Sequence, residues 1–134
     1  MTITVTRDRS GKMKHVVQVR EHQFPADEPV AIGGEDLGPD PHDLYDSALG
    51  VCKAMTVLWL ANRKQMPIED IEVKVDRDAS EERHGVYKLA VTLKLGGPLS
   101  EAQRAELLAA AEKCPVHKLM TQVTTEITTG LAAG

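Results

Sequence analysis

The strongest constraint in this 134-residue chain is residues 43–62, DLYDSALGVCKAMTVLWLAN. From Ala48 to Ala61 only Lys53 and Thr56 clearly call for water. At helical spacing Leu44, Ala48, Cys52, Met55 and Trp59 form one stripe, while Leu49, Val57 and Leu60 fall on other faces. A helix apolar most of the way round belongs inside a fold. The apolar run is short for a bilayer span and carries a lysine near its middle. The expectation is therefore a core helix, partly covered by a second subunit, with Cys52 near its centre.

The flanks fit such a helix. Gly38-Pro39-Asp40-Pro41 supplies a stop, a capping aspartate and a proline suited to the first helical position. Asp43 and Asp46 complement the positive end of the helix, Arg63 and Lys64 the negative end, and Pro67 prevents continuation. Upstream, residues 2–6 and 15–20 alternate with β-branched side chains and read as a hairpin closed by turn chemistry at 8–12. Residues 21–40 read as loop, with 28–32 as a short edge strand. Downstream, residues 68–76 and 86–95 alternate and form a second antiparallel pair, joined by a charged tip at 80–85. Ser100 and Gln103 make a capping box for a helix reaching about Lys113. Pro115 makes Cys114 the cap of a further short helix, and residues 123–129 read as a last strand. The expected class is α+β with antiparallel sheet, as one domain over residues 1–134.

Composition narrows the function. The net charge is −4 with no basic block, and the aromatic residues are one Trp, two Tyr and one Phe. Both facts argue against a nucleic-acid surface. The opening MTITVTRDRSGK alternates as a strand and lacks the apolar core of a signal peptide, so the expected compartment is the cytoplasm, with no membrane partner. Two cysteines do not make a disulfide scaffold, and no Cys/His cluster has zinc-ligand spacing, so no metal is expected. The glycine pairs at 33–34 and 96–97 are turn signals without phosphate-loop spacing.

The chemistry lies with the cysteines. Cys114, at a helix start, faces unpaired N–H groups and the positive end of a helix, both of which favour thiolate over thiol. Cys52 sits ten residues beyond His42, deep in its helix, and would need a cation from elsewhere, such as an arginine of the N-terminal hairpin, or a kink at Gly50. Buried free cysteine is also an ordinary small core residue, and that reading stands beside the redox one. His117, one turn after Cys114, reads as a partly exposed helix histidine, with proton donation as the alternative. His42 reads as a partner for Asp46 at i+4.

Two stretches carry a resemblance. Pro41-x-Asp43-Leu44 leading to Ala48-Leu49-Gly50-Val51-Cys52-x-Ala54-Met55-Thr56 resembles the first-cysteine motif of the OsmC/Ohr family. Residues 111–116, Ala-Glu-Lys-Cys-Pro-Val, resemble its second motif, and element order and length match the whole family domain. The resemblance implies an intertwined homodimer with central helices buried between the subunits' sheets. It also implies thiol-dependent reduction of organic hydroperoxides in oxidative-stress defence. Cys52 would be the peroxidatic and Cys114 the resolving cysteine, with an external dithiol reductant, lipoyl-type or another thiol, and no bound cofactor. Where the peroxidase branches carry a glutamate holding an activating arginine, this chain has His42, with Asp43 beside it; residues 29–32 hold no arginine, and Arg7 or Arg9 would substitute. These departures point to a divergent branch. They leave a second expectation open: a non-catalytic dimer of this fold that binds a small apolar or thiol ligand, its cysteines redox-sensing or inert.

Overall fold

The computed structural model describes residues 1–133. The chain forms two compact units, Met1–Ser47 and Ala48–Gly134. One long helix, α1 (Pro41–Arg63), begins in the first and ends in the second. Antiparallel sheets and helices make the class α+β.

The first unit holds a three-stranded antiparallel meander, β1 (Ile3–Arg7), β2 (His15–Val19) and β3 (His22–Ala26). The β1–β2 hairpin agrees with the alternation of its residues. β3 falls where the sequence reads as loop. Its turn is Arg20-Glu21, with Arg20 at φ 53°, a left-handed conformation carried without glycine or asparagine. Its Pro25 pairs with Val16 on an edge strand, where a missing N–H is tolerated. The expected edge strand at 28–32 is not one: Val30–Ile32 is a 3-10 turn closed by Gly33 at φ 100°. The loop around it is organised by the buried Asp27. Its carboxylate accepts the N–H groups of Glu28 (2.8 Å), Glu35 (3.2 Å) and Leu37 (3.1 Å).

The second unit packs the later part of α1 with β4 (Asp70–Asp78), β5 (Lys88–Gly96), α2 (Glu101–Ala111) and α3 (Pro115–Thr121). β4 and β5 pair antiparallel, with Ile71 opposite Leu95, Val73 opposite Leu93 and Val75 opposite Val91 on one half-buried face. The charged residues between them point the other way, as the alternation requires. β5 starts at Lys88, after the step at Tyr87 that breaks the pattern, and Val86 lies outside it, exposed. Ser100 caps α2 with the expected box: Gln103 N–H donates to Ser100 Oγ (3.1 Å), and Ser100 N–H donates to Gln103 Oε1 (3.0 Å). Residues 123–129 form no strand and are exposed, which corrects that expectation. Among the described residues no strand pairs with them.

The core of the second unit is Val57, Ala61, Met66, Leu99, Leu107 and Ala111. One side of α1 faces this core. The buried line is Leu49, Lys53, Val57 and Ala61, at steps of four. Of the stripe read from the sequence, Met55 (65% exposed) and Trp59 (60%) lie open, together with Val51. Gly50 shows why: a Cβ there would stand 3.1 Å from Val75 Cγ2, so the small residue admits β4 and the helix continues unbroken through it. By length and composition α1 could cross a bilayer, contrary to the sequence estimate. Its buried line, however, is taken up by a protein core and its lysine by protein acceptors.

Candidate functional site

The site is built where α2 ends and α3 begins. Ala111 closes α2, and its carbonyl accepts the N–H of Cys114 at 3.4 Å. Cys114 has extended backbone (φ −63°, ψ 150°), and Pro115 takes the first position of α3, where its missing N–H costs nothing. Cys114 is fully buried. Its Sγ accepts the N–H of His117 at 3.4 Å, so the cysteine caps the helix as the sequence predicts.

The preceding amide goes elsewhere. The N–H of Val116 donates to Sγ of Cys52, 3.5 Å away on α1. Pro115 has no N–H, so the first two amides of α3 each end on a sulfur, one from each cysteine. Both cysteines are free thiols, Cys52 half-buried. The sequence asks for a cation near Cys52, such as an arginine of the N-terminal hairpin, or for a kink at Gly50. The structure gives Cys52 a backbone amide from the other cysteine's own turn.

A buried lysine completes the group. Lys53, expected to face water, is 5% exposed. Its Nζ donates to the carbonyl oxygen of Ala111 (2.6 Å) and lies 3.0 Å from Nδ1 of His117. His117 is half-buried. It joins Lys53 through its ring and Cys114 through its N–H, a larger part than a helix-surface histidine plays. The signal for Lys53 was its place four residues before Val57 and eight before Ala61, on the line that Gly50 and Ala61 mark as closely packed.

The other named residues belong to the first unit. Arg7 ends β1 opposite His15, and Arg9 lies in the following turn; both belong to the first unit, the cysteines to the second. Asp43 is engaged at the start of α1: its N–H donates to Asp40 Oδ1 (2.8 Å), while Asp40 N–H donates to Asp43 Oδ2 (3.0 Å). This reciprocal cap gives it a helix-starting role. His42 is exposed on the first turn of α1. Among the described residues no group of three or more His, Cys, Asp or Glu could hold a metal ion. The first unit carries a hollow of about 340 Å³, lined mostly by apolar side chains that include Val5, Met13, Val17 and Leu44.

Comparison with known proteins bears on the fold and the family. A candidate osmotic stress induced and detoxification response protein from Psychrobacter arcticus matches with a TM-score of 0.75 at 18% identity, covering 91% of this chain and 89% of that one. An organic hydroperoxide resistance protein OsmC from Legionella pneumophila matches at 0.64 and 21% identity, covering 90% and 88%. The organic hydroperoxide resistance protein OhrB of Bacillus subtilis matches at 0.57 and 23% identity, covering 90% of each chain. No curated protein sequence matches the chain. The model of the OsmC-like protein family matches residues 33–129, a span that contains both cysteines and the lysine between their elements. With most of its length matched by that family model and its fold shared with OsmC and Ohr proteins, the chain belongs to the OsmC/Ohr family.

Proposed function

We propose that the protein is a two-cysteine thiol peroxidase that reduces organic hydroperoxides, acting over residues 1–134 as one domain and as a homodimer in the reducing cytoplasm. The observation that carries the reading is the pair of sulfurs held by consecutive amides of one turn, Val116 N–H on Cys52 and His117 N–H on Cys114. An amide aimed at sulfur gives more to a thiolate than to a thiol, because hydrogen bonds to charged acceptors are the stronger ones. Cys52 is half-buried on α1 and Cys114 fully buried, which supports Cys52 as the cysteine that meets the peroxide.

In this reading the Cys52 thiolate attacks the outer oxygen of the hydroperoxide. The O–O bond breaks, the alkoxide leaves and takes up a proton as the alcohol, and Cys52 becomes a sulfenic acid. The Cys114 sulfur then attacks that sulfur, forming the disulfide and releasing water. An external dithiol restores both thiols by exchange, itself ending as a disulfide. The dimer is supported by the open apolar face of α1 at Val51, Met55 and Trp59. In that dimer the two α1 helices lie between the subunits' sheets.

The test is single-turnover oxidation of the reduced protein by cumene hydroperoxide and by hydrogen peroxide, followed by free-thiol count and intact mass. The expected result is loss of both thiols as one disulfide. Cys114→Ser is expected to yield a trapped sulfenic acid on Cys52, and Cys52→Ser no reaction. Thiols that stay reduced under excess peroxide overturn the reading. The apolar hollow of the first unit favours the alternative, a non-catalytic binder of a small apolar ligand. Ligand-dependent stabilisation without thiol chemistry would select it.

A further inference from the structure

A lysine withdrawn from water is costly unless its charge is met by well-placed acceptors. Lys53 is met twice, by the Ala111 carbonyl and by His117 Nδ1. Both acceptors belong to the segment that holds Cys114. The Ala111 carbonyl also takes the Cys114 N–H, and His117 gives its own N–H to Cys114 Sγ. The lysine itself is the residue after Cys52. One ammonium on α1 thus ties down both sides of the turn whose amides end on the two sulfurs. The contact also sets the state of the imidazole. With Lys53 as the donor, Nδ1 accepts through its lone pair, an arrangement that belongs to the Nε2–H tautomer of the ring.

We propose that Lys53 and His117 form a positioning clamp for the cysteine site, fixing the first turn of α3 against α1 so that the Val116 N–H stays on Cys52 Sγ, and placing a buried positive charge within the same turn. Neither residue reacts with peroxide; the pair acts through the amides it holds and through its charge. The clamp rests on the peroxidase reading for its purpose but not for its measurement.

The experiment compares Lys53→Met, His117→Ala and the double variant with the wild-type protein. Met keeps the stem of lysine in its buried slot, and position 117 is half-open, so His117→Ala carries the test if Lys53→Met does not fold. Cys52 alkylation by iodoacetamide at neutral pH is followed by peptide mass, and the His117 ring by nitrogen NMR. Each single variant is expected to slow Cys52 alkylation about tenfold, the effect of one lost charge-assisted contact. The double variant is expected to be no slower than the slower single, since the two residues act as one unit. The wild-type ring is expected to show a fixed Nε2–H tautomer that Lys53→Met converts to a mixture. Alkylation within twofold of wild type in both singles, or a mixed tautomer already in the wild type, overturns the clamp. Neither measurement uses peroxide. Slowed alkylation in a protein inert to peroxide keeps the clamp and removes the peroxidase; an active wild type with indifferent variants does the reverse.

Discussion

Replacing Trp59 by glutamate strikes the face of α1 that the chain leaves uncovered. Trp59 is 60% exposed. An aromatic side chain of this kind buries about 150–250 Å² when fully covered, so about 90–150 Å² of apolar surface remains for a partner. At about 25 cal/mol per Å² that is about 2–4 kcal/mol for each protomer. A two-fold interface presents the residue twice, and the charge of glutamate would add its own desolvation. The guanidinium of Arg63, 5.2 Å from the ring centroid, covers part of one face, and the 60% figure already includes that cover. A total near 4 kcal/mol still weakens the dimer about a thousandfold. Sedimentation equilibrium across micromolar concentrations, with far-ultraviolet dichroism to confirm the fold, reads this directly. The wild type is expected as a dimer and Trp59→Glu as a monomer or unfolded chain. A wild type that sediments as a monomer, or a variant that dimerises with unchanged affinity, refutes the assignment of this face.

Two further outcomes follow from the packing. Leu107 is fully buried in the core with Val57, Ala61 and Met66, so Leu107→Ala is expected to cost about 2–5 kcal/mol. A thermal melt should show its midpoint lowered by about 10 °C. Burial opposes the charge on Asp27, but the N–H groups of Leu37, Glu28 and Glu35, with the Lys14 charge, outweigh it and hold the carboxyl below the usual carboxylate range. Its contribution is therefore complete above the unfolded value of about 4 and is lost as pH falls through the lower folded value. Exchange protection of the Glu35 and Leu37 amides should follow that loss on acidification. Asp27→Asn should weaken protection at neutral pH and remove the dependence.

The elements with strong local signals were legible from the residues alone: the β1–β2 hairpin, the β4–β5 ribbon, the Ser100 capping box and the Cys114 cap all stand where the pattern puts them. β3 was hidden because its turn is Arg20-Glu21 and its middle residue is Pro25, neither of which announces a strand. Residues 123–129 show the opposite error, since alternation describes what a strand can bury and supplies no partner. Which side of α1 meets its own chain's core was not legible, because the helix is apolar most of the way round. The packed side carries Gly50, whose missing Cβ leaves room for Val75 of β4, and the fully buried Ala61. Lys53 reads from the sequence as facing water and is buried instead. Its acceptors, a helix-end carbonyl and a histidine, come from residues fifty-eight and sixty-four positions away, and no local pattern contains them.

The rotation of α1 has a consequence for substrate choice. Successive helical residues turn by about 100°, and Val51, Cys52 and Lys53 pass from exposed through half-buried to buried. Cys52 therefore lies at a seam, with the Val116 N–H on its sulfur at the packed side and Val51 and Met55 toward its open side. In the peroxidase reading this sulfur would be approached across apolar side chains. Hydrogen peroxide gains nothing from such an approach, whereas the hydrocarbon part of an organic hydroperoxide loses apolar surface to it. The same side chains are those offered to a second subunit, so dimer formation would narrow the approach and deepen its apolar wall. If the peroxidase reading holds, Met55→Ser should lower the rate with cumene hydroperoxide and leave that with hydrogen peroxide nearly unchanged. Equal losses with both oxidants would place the preference elsewhere in the molecule.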